Sequence, residues 1–213
     1  MTAPALRWVS AIGALTPADR VALLERSTSA DRAVREATAG LVAQVRRGGD
    51  AALAELAARY DGALLTELEL PRTVWTDALA NLDPALRSAL ERSAANIRTV
   101  HEAFRPTAVT VEPEPGIRVG RRPDPLGRVG VYAPGGRAAY PSSVLMGAIP
   151  ARVAGVGEVI LCSPPDATGR PSEVVLAAAA LAGVDRVFAL GGAGAIAAMA
   201  FGTESVPQVD RIV

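Results

Sequence analysis

Apolar and polar positions follow a helical spacing through the first hundred residues of the chain. Val34, Leu41 and Val45 recur at intervals that place their side chains on one face of a helix. The glycine pair at residues 48–49 is predicted to end this helix, and Asp50 is predicted to cap the next one. The pattern therefore predicts a helical first half.

A longer amphipathic helix is predicted to open at Asp83-Pro84 and to run to about residue 105. Its apolar face consists of Leu86, Leu90, Ile97, Val100 and Phe104. This spacing is typical of a helix that packs on a partner element. The arginines and acidic residues that alternate through this half are interpreted as a solvated surface, so no catalytic cluster is predicted here.

The pattern changes beyond residue 127, where short apolar runs alternate with alanine-rich helical segments. Strands are predicted at residues 128–132, 158–162, 186–190 and 209–213. Helices are predicted at residues 142–154, 172–181 and 193–201. Pro150 is expected to break or kink the first of these helices, because proline lacks the amide that the helix ladder needs. This alternation favours βαβ units and a parallel sheet.

The segment between these two patterns is rich in proline and glycine. We therefore divide the chain into a helical N-terminal region at residues 1–105, a linker or hairpin at 106–127 and a Rossmann-like domain at 128–213. The predicted fold class is α/β, with the helical region followed by a Rossmann-like parallel sheet and its flanking helices. The sheet is expected to be incomplete, because the chain ends on its last predicted strand.

Charge and composition exclude several kinds of function. The 22 positive charges balance 22 negative ones, so no nucleic-acid partner is predicted. Every positive charge is an arginine, which excludes a Walker A loop and a Schiff-base lysine. The single cysteine, Cys162, and single histidine, His101, are too few for a disulfide framework or a zinc site. Without a signal-like start or a convincing membrane span, a cytoplasmic protein is expected.

The loop after the first predicted sheet strand combines an aromatic ring, a proline and two glycines: Tyr132, Pro134, Gly135 and Gly136. A planar nicotinamide or adenine ring could stack on Tyr132, while the glycines would let backbone amides approach a phosphate. Alternatively, the loop is only a tight turn whose following serines, at residues 142–143, cap a helix. Spacing alone leaves both possibilities open.

A second glycine-rich loop, from Gly192 through Gly194 to Ala197, matches the dinucleotide fingerprint G-x-G-x-x-G/A between a predicted strand and helix. The fingerprint also requires an acid at the end of the next strand, about 20 residues on. Asp210 instead begins that strand. The motif is therefore weak evidence for a dinucleotide site.

Two long runs, Gly127 to Pro165 and Gly183 to Val213, closely resemble the first Rossmann-like portion of the histidinol dehydrogenase family. The earlier run VRRGGDAALAELAARYDG resembles the family's helical N-terminal region. The resemblance implies an NAD-dependent, zinc-containing enzyme that oxidises histidinol to histidine through the aldehyde. It also implies an intertwined homodimer whose active sites draw residues from both chains.

The resemblance places Tyr132 at the family's cofactor-binding tyrosine. Gly194 stands where the family has a glutamine that contacts NAD. The loss of such a polar contact typically costs about 1 kcal/mol, so weakened cofactor binding is expected.

The family's catalytic Glu-His pair, its zinc ligands and a Gly-Pro-Gly-Asn block are expected beyond Val213. We therefore predict no catalytic or metal-binding residues in this chain, and no activity of the chain alone. Two alternatives remain: a sulfopropanediol-type dehydrogenase, which shares the same loops, and a non-catalytic nucleotide-binding or structural module.

Overall fold

The structure is a computed structural model that describes residues 11–24, 32–135 and 138–213. The chain divides into two compact units, Met1–Ala39 and Gly40–Val213. The described helices are α1 (Pro17–Leu24), α2 (Arg32–Leu56), α3 (Arg72–Ala80), α4 (Pro84–Phe104), α5 (Pro141–Val153), α6 (Glu173–Ala182) and α7 (Gly192–Phe201). The described strands are β1 (Glu69–Leu70), β2 (Val109–Glu114), β3 (Ile117–Arg121), β4 (Arg128–Tyr132), β5 (Glu158–Ser163), β6 (Arg186–Ala189) and β7 (Arg211–Ile212).

The first unit contains a 3₁₀ turn at Ile12–Ala14, helix α1 and the start of α2. The hydroxyl oxygen of Thr16 accepts a hydrogen bond from the N–H of Asp19 at 3.2 Å. This bond satisfies one of the free N–H groups at the start of α1.

The glycine pair in α2 interrupts the helix as predicted, because Gly49 adopts φ 52° and ψ −135°. Asp50 does not cap the next helix as predicted, because its hydrogen bonds go to a distant segment. Its N–H donates to Glu204 Oε2 at 2.8 Å, and its carboxylate accepts a bond from the hydroxyl of Ser205. The helix continues into a π-helical turn at Ala57–Asp61.

The predicted long helix is confirmed as α4. Asp83 Oδ1 accepts hydrogen bonds from the N–H groups of Ala85 and Leu86, each at 3.0 Å, and Pro84 occupies the first helical position. The carboxylate and the proline together explain why the helix begins here.

The main sheet has five strands in the order β1-β6-β5-β4-β7. Strands β4, β5, β6 and β7 run parallel, and β1 lies antiparallel to β6. The predicted parallel sheet is confirmed, and each of its four predicted strands is present. Strand β1 was not predicted.

Helices cover both faces of this sheet. On one face, β-strand residues such as Val159 and Leu161 pack with α3, α4, α5 and α6 in a single buried cluster. On the other face, Ile160 and Cys162 pack with α7 and the second half of α2. The predicted α/β fold class is therefore confirmed, and the N-terminal helices within Gly40–Val213 share the sheet's core.

Helix α5 continues through Pro150 to Val153, so of the expected break or kink at Pro150 the break is wrong. Proline removes the hydrogen bond to the carbonyl four residues earlier, which belongs to Met146. Met146 is 65% exposed, so this part of the helix faces solvent and water can replace the missing donor.

Strands β2 and β3 form a separate antiparallel hairpin that turns at Gly116, with φ 85°. All residues of both strands are exposed. The segment at residues 106–127 thus contains a hairpin, while the division into domains at 105 and 127 stays a prediction.

The amino-terminal ends of the sheet strands are joined by charged side chains. Arg186 binds Glu69 through two hydrogen bonds of 2.8 and 2.6 Å, and Arg128 pairs with Glu158. These ion pairs link β6 to β1 and β4 to β5, which are neighbours in the sheet. The charged side chains at this edge therefore pair with one another across neighbouring strands.

Within the described residues, no helix is long and apolar enough to cross a membrane.

Candidate functional site

A cleft of about 690 Å³ lies at the carboxyl-terminal ends of β4 and β5 and beside the start of α7. Its lining consists of Tyr60, Asp61, Tyr132, Gly135, Ala138, Ala139, Ser163, Pro164, Pro165, Asp166, Ala167, Ser172, Val175 and Gly192. Ligands of open parallel sheets bind at this edge, where the connecting loops meet. A second cleft, of about 710 Å³, lies near the amino-terminal end of β6 and lacks all of the predicted site residues.

Tyr132 is the last residue of β4 and is half-buried. Its hydroxyl oxygen accepts a hydrogen bond from the N–H of Gly192 at 2.9 Å. Gly192 is the first residue of α7 and has φ 57°, in the region that favours glycine. The bond satisfies an N–H that has no partner inside the helix and fixes the tyrosine ring at the cleft wall.

Gly135 and Gly191 both allow close approach to Pro164, which follows β5. A Cβ atom added at Gly135 would lie 2.7 Å from Pro164 Cγ, and one at Gly191 would lie 2.8 Å from Pro164 Cβ. Only a residue without a side chain fits at these two positions. The loops that follow β4 and β6 therefore both pack closely on Pro164.

The other predicted site residues have different surroundings. Pro134 is exposed and does not line the cleft, and Gly136 lies outside the described residues. The α5 N-cap is Tyr140, with no side-chain cap bond, and Ser142 lies inside the helix. The alternative in which the serines cap α5 is therefore wrong.

Gly194 is buried against α2 rather than in the cleft. A Cβ atom at this position would lie 3.2 Å from Leu56 Cδ1 and 3.5 Å from Leu53 Cδ2. The residue lines a neighbouring cavity of about 270 Å³. That cavity is bounded by Leu41, Leu53, Leu56, Ala57, Tyr60, Asp61, Leu190, Gly191, Gly192, Ala193 and Gly194. The structure thus separates Gly194 from Tyr132, although Gly192 borders both spaces.

Asp61 lines both the cleft and the neighbouring cavity, and the sequence analysis did not identify it. It is half-buried at the end of the π-helical turn, and burial raises the pKa of its carboxyl group. Its two oxygens lie 3.3 and 3.4 Å from where a Cβ of Gly191 would stand. The sequence does indicate a helix end at this position, because Gly62 follows Asp61. Nothing in the sequence indicates that Asp61 lies beside Gly191.

Neither the single thiol nor a metal cluster contributes to the cleft. Cys162 is fully buried, and burial raises its pKa to about 12, so its thiol stays neutral. In the described ranges, no group of three or more His, Cys, Asp and Glu residues is placed to hold a metal ion.

Residues 24–213 match the family model described as histidinol dehydrogenase. The chain belongs to the histidinol dehydrogenase family. The predicted resemblance is thereby confirmed.

Similar histidinol dehydrogenases include two bacterial relatives. The one from Bordetella parapertussis is 50% identical over 195 residues, which are 90% of this chain and 44% of the relative. The one from Pseudomonas fluorescens is 48% identical over 194 residues, again 90% and 44% of the two chains. The chain therefore spans less than half the length of these relatives.

The fold is also similar to a solved member of the family. The crystal structure of histidinol dehydrogenase from Elizabethkingia anophelis superimposes with a TM-score of 0.80 at 32% identity. The match covers 84% of this chain and 41% of that one. This likeness supports the α/β fold described above.

Proposed function

We propose that this chain forms the NAD-binding portion of an NAD-dependent histidinol dehydrogenase, which oxidises L-histidinol to L-histidine through histidinal. The observation that carries the proposal is the cleft at the carboxyl-terminal edge of the sheet, walled by Tyr132. Membership of the histidinol dehydrogenase family supports the choice of reaction.

The residues of the cleft suit a dinucleotide. The ring of Tyr132 offers a flat wall for an aromatic ring of the cofactor. Gly135 lines the cleft and has no side chain, so its backbone can be approached by a ligand from the open side. At the start of α7 the N–H of Gly192 is bonded to Tyr132, and the N–H groups of Ala193 and Gly194 have no carbonyl of the helix to donate to. Such groups bind phosphate oxygens.

NAD, when bound, would supply the acceptor for the hydride that leaves the alcohol. The chain's own part is to bind and orient that cofactor and to keep its ring against Tyr132. Pro134 and Gly136 belong to this proposal through the loop sequence and Gly194 through the resemblance, because Pro134 and Gly194 do not line the cleft and Gly136 lies outside the described residues.

Zinc does not fit this chain's described residues. None of their acidic, histidine and cysteine side chains group into a metal site. We therefore assign no metal step here and propose that residues outside the chain supply this chemistry in the complete enzyme. The homodimer, the shared active sites and the cytoplasmic location stay predictions.

The direct test is calorimetric titration of NAD into the purified chain, with Tyr132→Ala and the control Tyr140→Ala. Tyr140 is 44% exposed and does not line the cleft. We expect NAD to bind the chain and the control alike, and about tenfold more weakly to Tyr132→Ala, since base–aromatic stacking is worth about 1–3 kcal/mol. Absence of NAD binding to the unmodified chain would contradict the proposal.

A second measurement addresses catalysis. The purified chain is mixed with histidinol and NAD, and NADH formation is followed by its absorbance. We expect none, because in the described residues no group of three or more His, Cys, Asp and Glu residues is placed to hold the zinc that the resemblance implies. Steady NADH production would show that the chain alone is sufficient and would overturn this part of the proposal.

A further inference from the structure

The acid that the dinucleotide fingerprint requires is absent from its usual place in the fold. Asp210 has the closest spacing, but its Oδ2 accepts a hydrogen bond from the N–H of Arg128 at 2.8 Å. Arg128 begins β4, so this bond lies at the amino-terminal edge of the sheet. Asp210 is therefore on the wrong side of the sheet to contact a ligand beside Tyr132.

Asp61 brings a carboxylate to the correct edge from a different element. The π-helical turn at Ala57–Asp61 ends in Gly62, whose φ of 68° turns the chain, and the N–H of Ala63 donates to the carbonyl of Ala57 at 3.2 Å. Ala63 is fully buried, which anchors the turn. Asp61 is thereby held against Gly191, at the entrance to α7.

The carboxylate of Asp61 is available to a ligand. The described residues give it no hydrogen-bond or ion-pair partner, whereas Asp166, the other acid of the cleft, accepts bonds from the N–H and hydroxyl of Thr168 at 2.8 and 2.5 Å. Burial raises the pKa of Asp61, as expected for a carboxyl in a partly dry site. Among the described lining residues of the cleft, none is basic.

We propose that Asp61 determines cofactor specificity: its carboxylate accepts hydrogen bonds from the adenosine ribose hydroxyls of NAD and excludes the 2′-phosphate of NADP. This inference rests on the proposed function of the cleft. A carboxylate pairs well with a ribose diol, and a dinucleotide site uses an acid for this purpose. A phosphate at the same oxygen would face the acid with like charge and, among the described lining residues, without a basic partner.

The position of Asp61 distinguishes this arrangement from the usual dinucleotide fold. There the acid follows the second strand of the same βαβ unit. Here it comes from the π-helical turn that follows α2, whose second half packs against the sheet. This part of the chain would thus contribute directly to cofactor choice, in addition to covering the sheet.

The test is a pair of titrations, NAD and NADP, into the full 213-residue chain and its variants. The variants are Asp61→Asn, Asp61→Ala and the matched control Asp166→Asn, with folding of each checked by circular dichroism. We expect the unmodified chain to prefer NAD by at least about tenfold, as one unfavourable charge contact predicts. In both Asp61 variants NAD binding should weaken about fivefold and the preference should fall below about threefold.

The control Asp166→Asn should keep the preference of the unmodified chain, because its carboxylate is already bonded within its own turn. An equal change in this variant would attribute the preference to the total charge of the cleft and overturn the inference. An unchanged preference in both Asp61 variants, with NAD still bound in a Tyr132-dependent way, would overturn the inference alone. Absence of NAD binding to the unmodified chain would overturn the proposed function as well.

Discussion

The hydroxyl of Tyr132 accepts a hydrogen bond from the N–H of Gly192 at 2.9 Å, which joins the end of β4 to the start of α7. The two residues are 60 positions apart, so the bond forms only when the sheet is assembled. It fixes the ring at the wall of the cleft and removes one of the unpaired N–H groups of the helix. The same contact thus serves the fold and prepares a surface for a planar ligand.

Tyr132→Phe separates these two roles, because it removes the acceptor and keeps the ring. We expect a loss of about 0.5–1 kcal/mol in the free energy of unfolding, since water in the cleft can replace part of the bond. NAD affinity should fall less than in Tyr132→Ala. Urea denaturation and NAD titration measure the two effects, and equal losses of affinity in both variants would show that the hydroxyl, not the ring, contacts the cofactor.

Gly194→Gln restores the residue that the resemblance predicts at this position. The new side chain must pass Leu56, whose Cδ1 would lie 3.2 Å from its Cβ, and then enter the cavity of about 270 Å³ beside α7. If it reaches the cofactor, NAD affinity should rise about fivefold, the equivalent of one hydrogen bond of about 1 kcal/mol. Titration of NAD checks this. A less stable protein with unchanged affinity would show that Gly194 only packs against α2.

Much of the sheet was predictable because its signals are local. Strand β4 matches the predicted residues 128–132, since an apolar run there is bounded by glycine on one side and Ala-Pro-Gly-Gly on the other. Strand β1 was missed because it has only two residues and exists through distant partners. Glu69 and Leu70 pair with Phe188 and Val187 of β6.

The candidate site likewise contains one residue that the local sequence predicts and another that it does not. Tyr132 was found because strand, aromatic ring and glycine pair are adjacent in the sequence. Asp61 was missed, since its role depends on contact with Gly191, which lies on another element. The cap predicted at Asp50 was wrong for a similar reason, because its actual partners, Glu204 and Ser205, are more than 150 positions away.

Gly147→Ala tests the close packing of α5 on β4. A Cβ at this position would lie 2.8 Å from Cγ1 of Val131, a rigid and buried side chain. Overpacking of this kind costs about 1–3 kcal/mol, which exceeds the gain of up to about 1 kcal/mol in helix propensity. The matched control is Gly40→Ala, which has open space and should stabilise α2. Urea denaturation gives both values, and equal stabilisation of the two variants would refute the packing argument.

Cys162 should be unreactive in the folded chain. Its thiol is fully buried and its pKa is raised to about 12, so almost no thiolate forms in mildly alkaline buffer. We expect an alkylating reagent to leave the native chain unmodified and to label it completely in denaturant, as mass spectrometry would show. Cys162→Ala is the control for labelling elsewhere. Rapid labelling of the native chain would place the thiol at an accessible surface.

The contact between Asp50 and Ser205 should make stability depend on pH. Burial acts to raise the pKa of Asp50, but side-chain hydrogen bonds from Ser205 and Thr203 and other bonds outweigh it, so the pKa lies below its ordinary value of 3.8. A carboxyl with a lowered folded pKa stabilises the fold above its unfolded pKa, and this contribution disappears as the pH falls through the folded pKa.

Ser205→Ala should therefore lower the free energy of unfolding by about 1 kcal/mol near neutral pH, and the difference should shrink once Asp50 is protonated. The control is Ser172→Ala, because Ser172 is exposed and makes no side-chain cap bond at the start of α6. Urea denaturation at a series of pH values measures both variants. A difference for Ser205→Ala that stays constant well below pH 3.8 would show that the serine stabilises the loop without acting on the charge of Asp50.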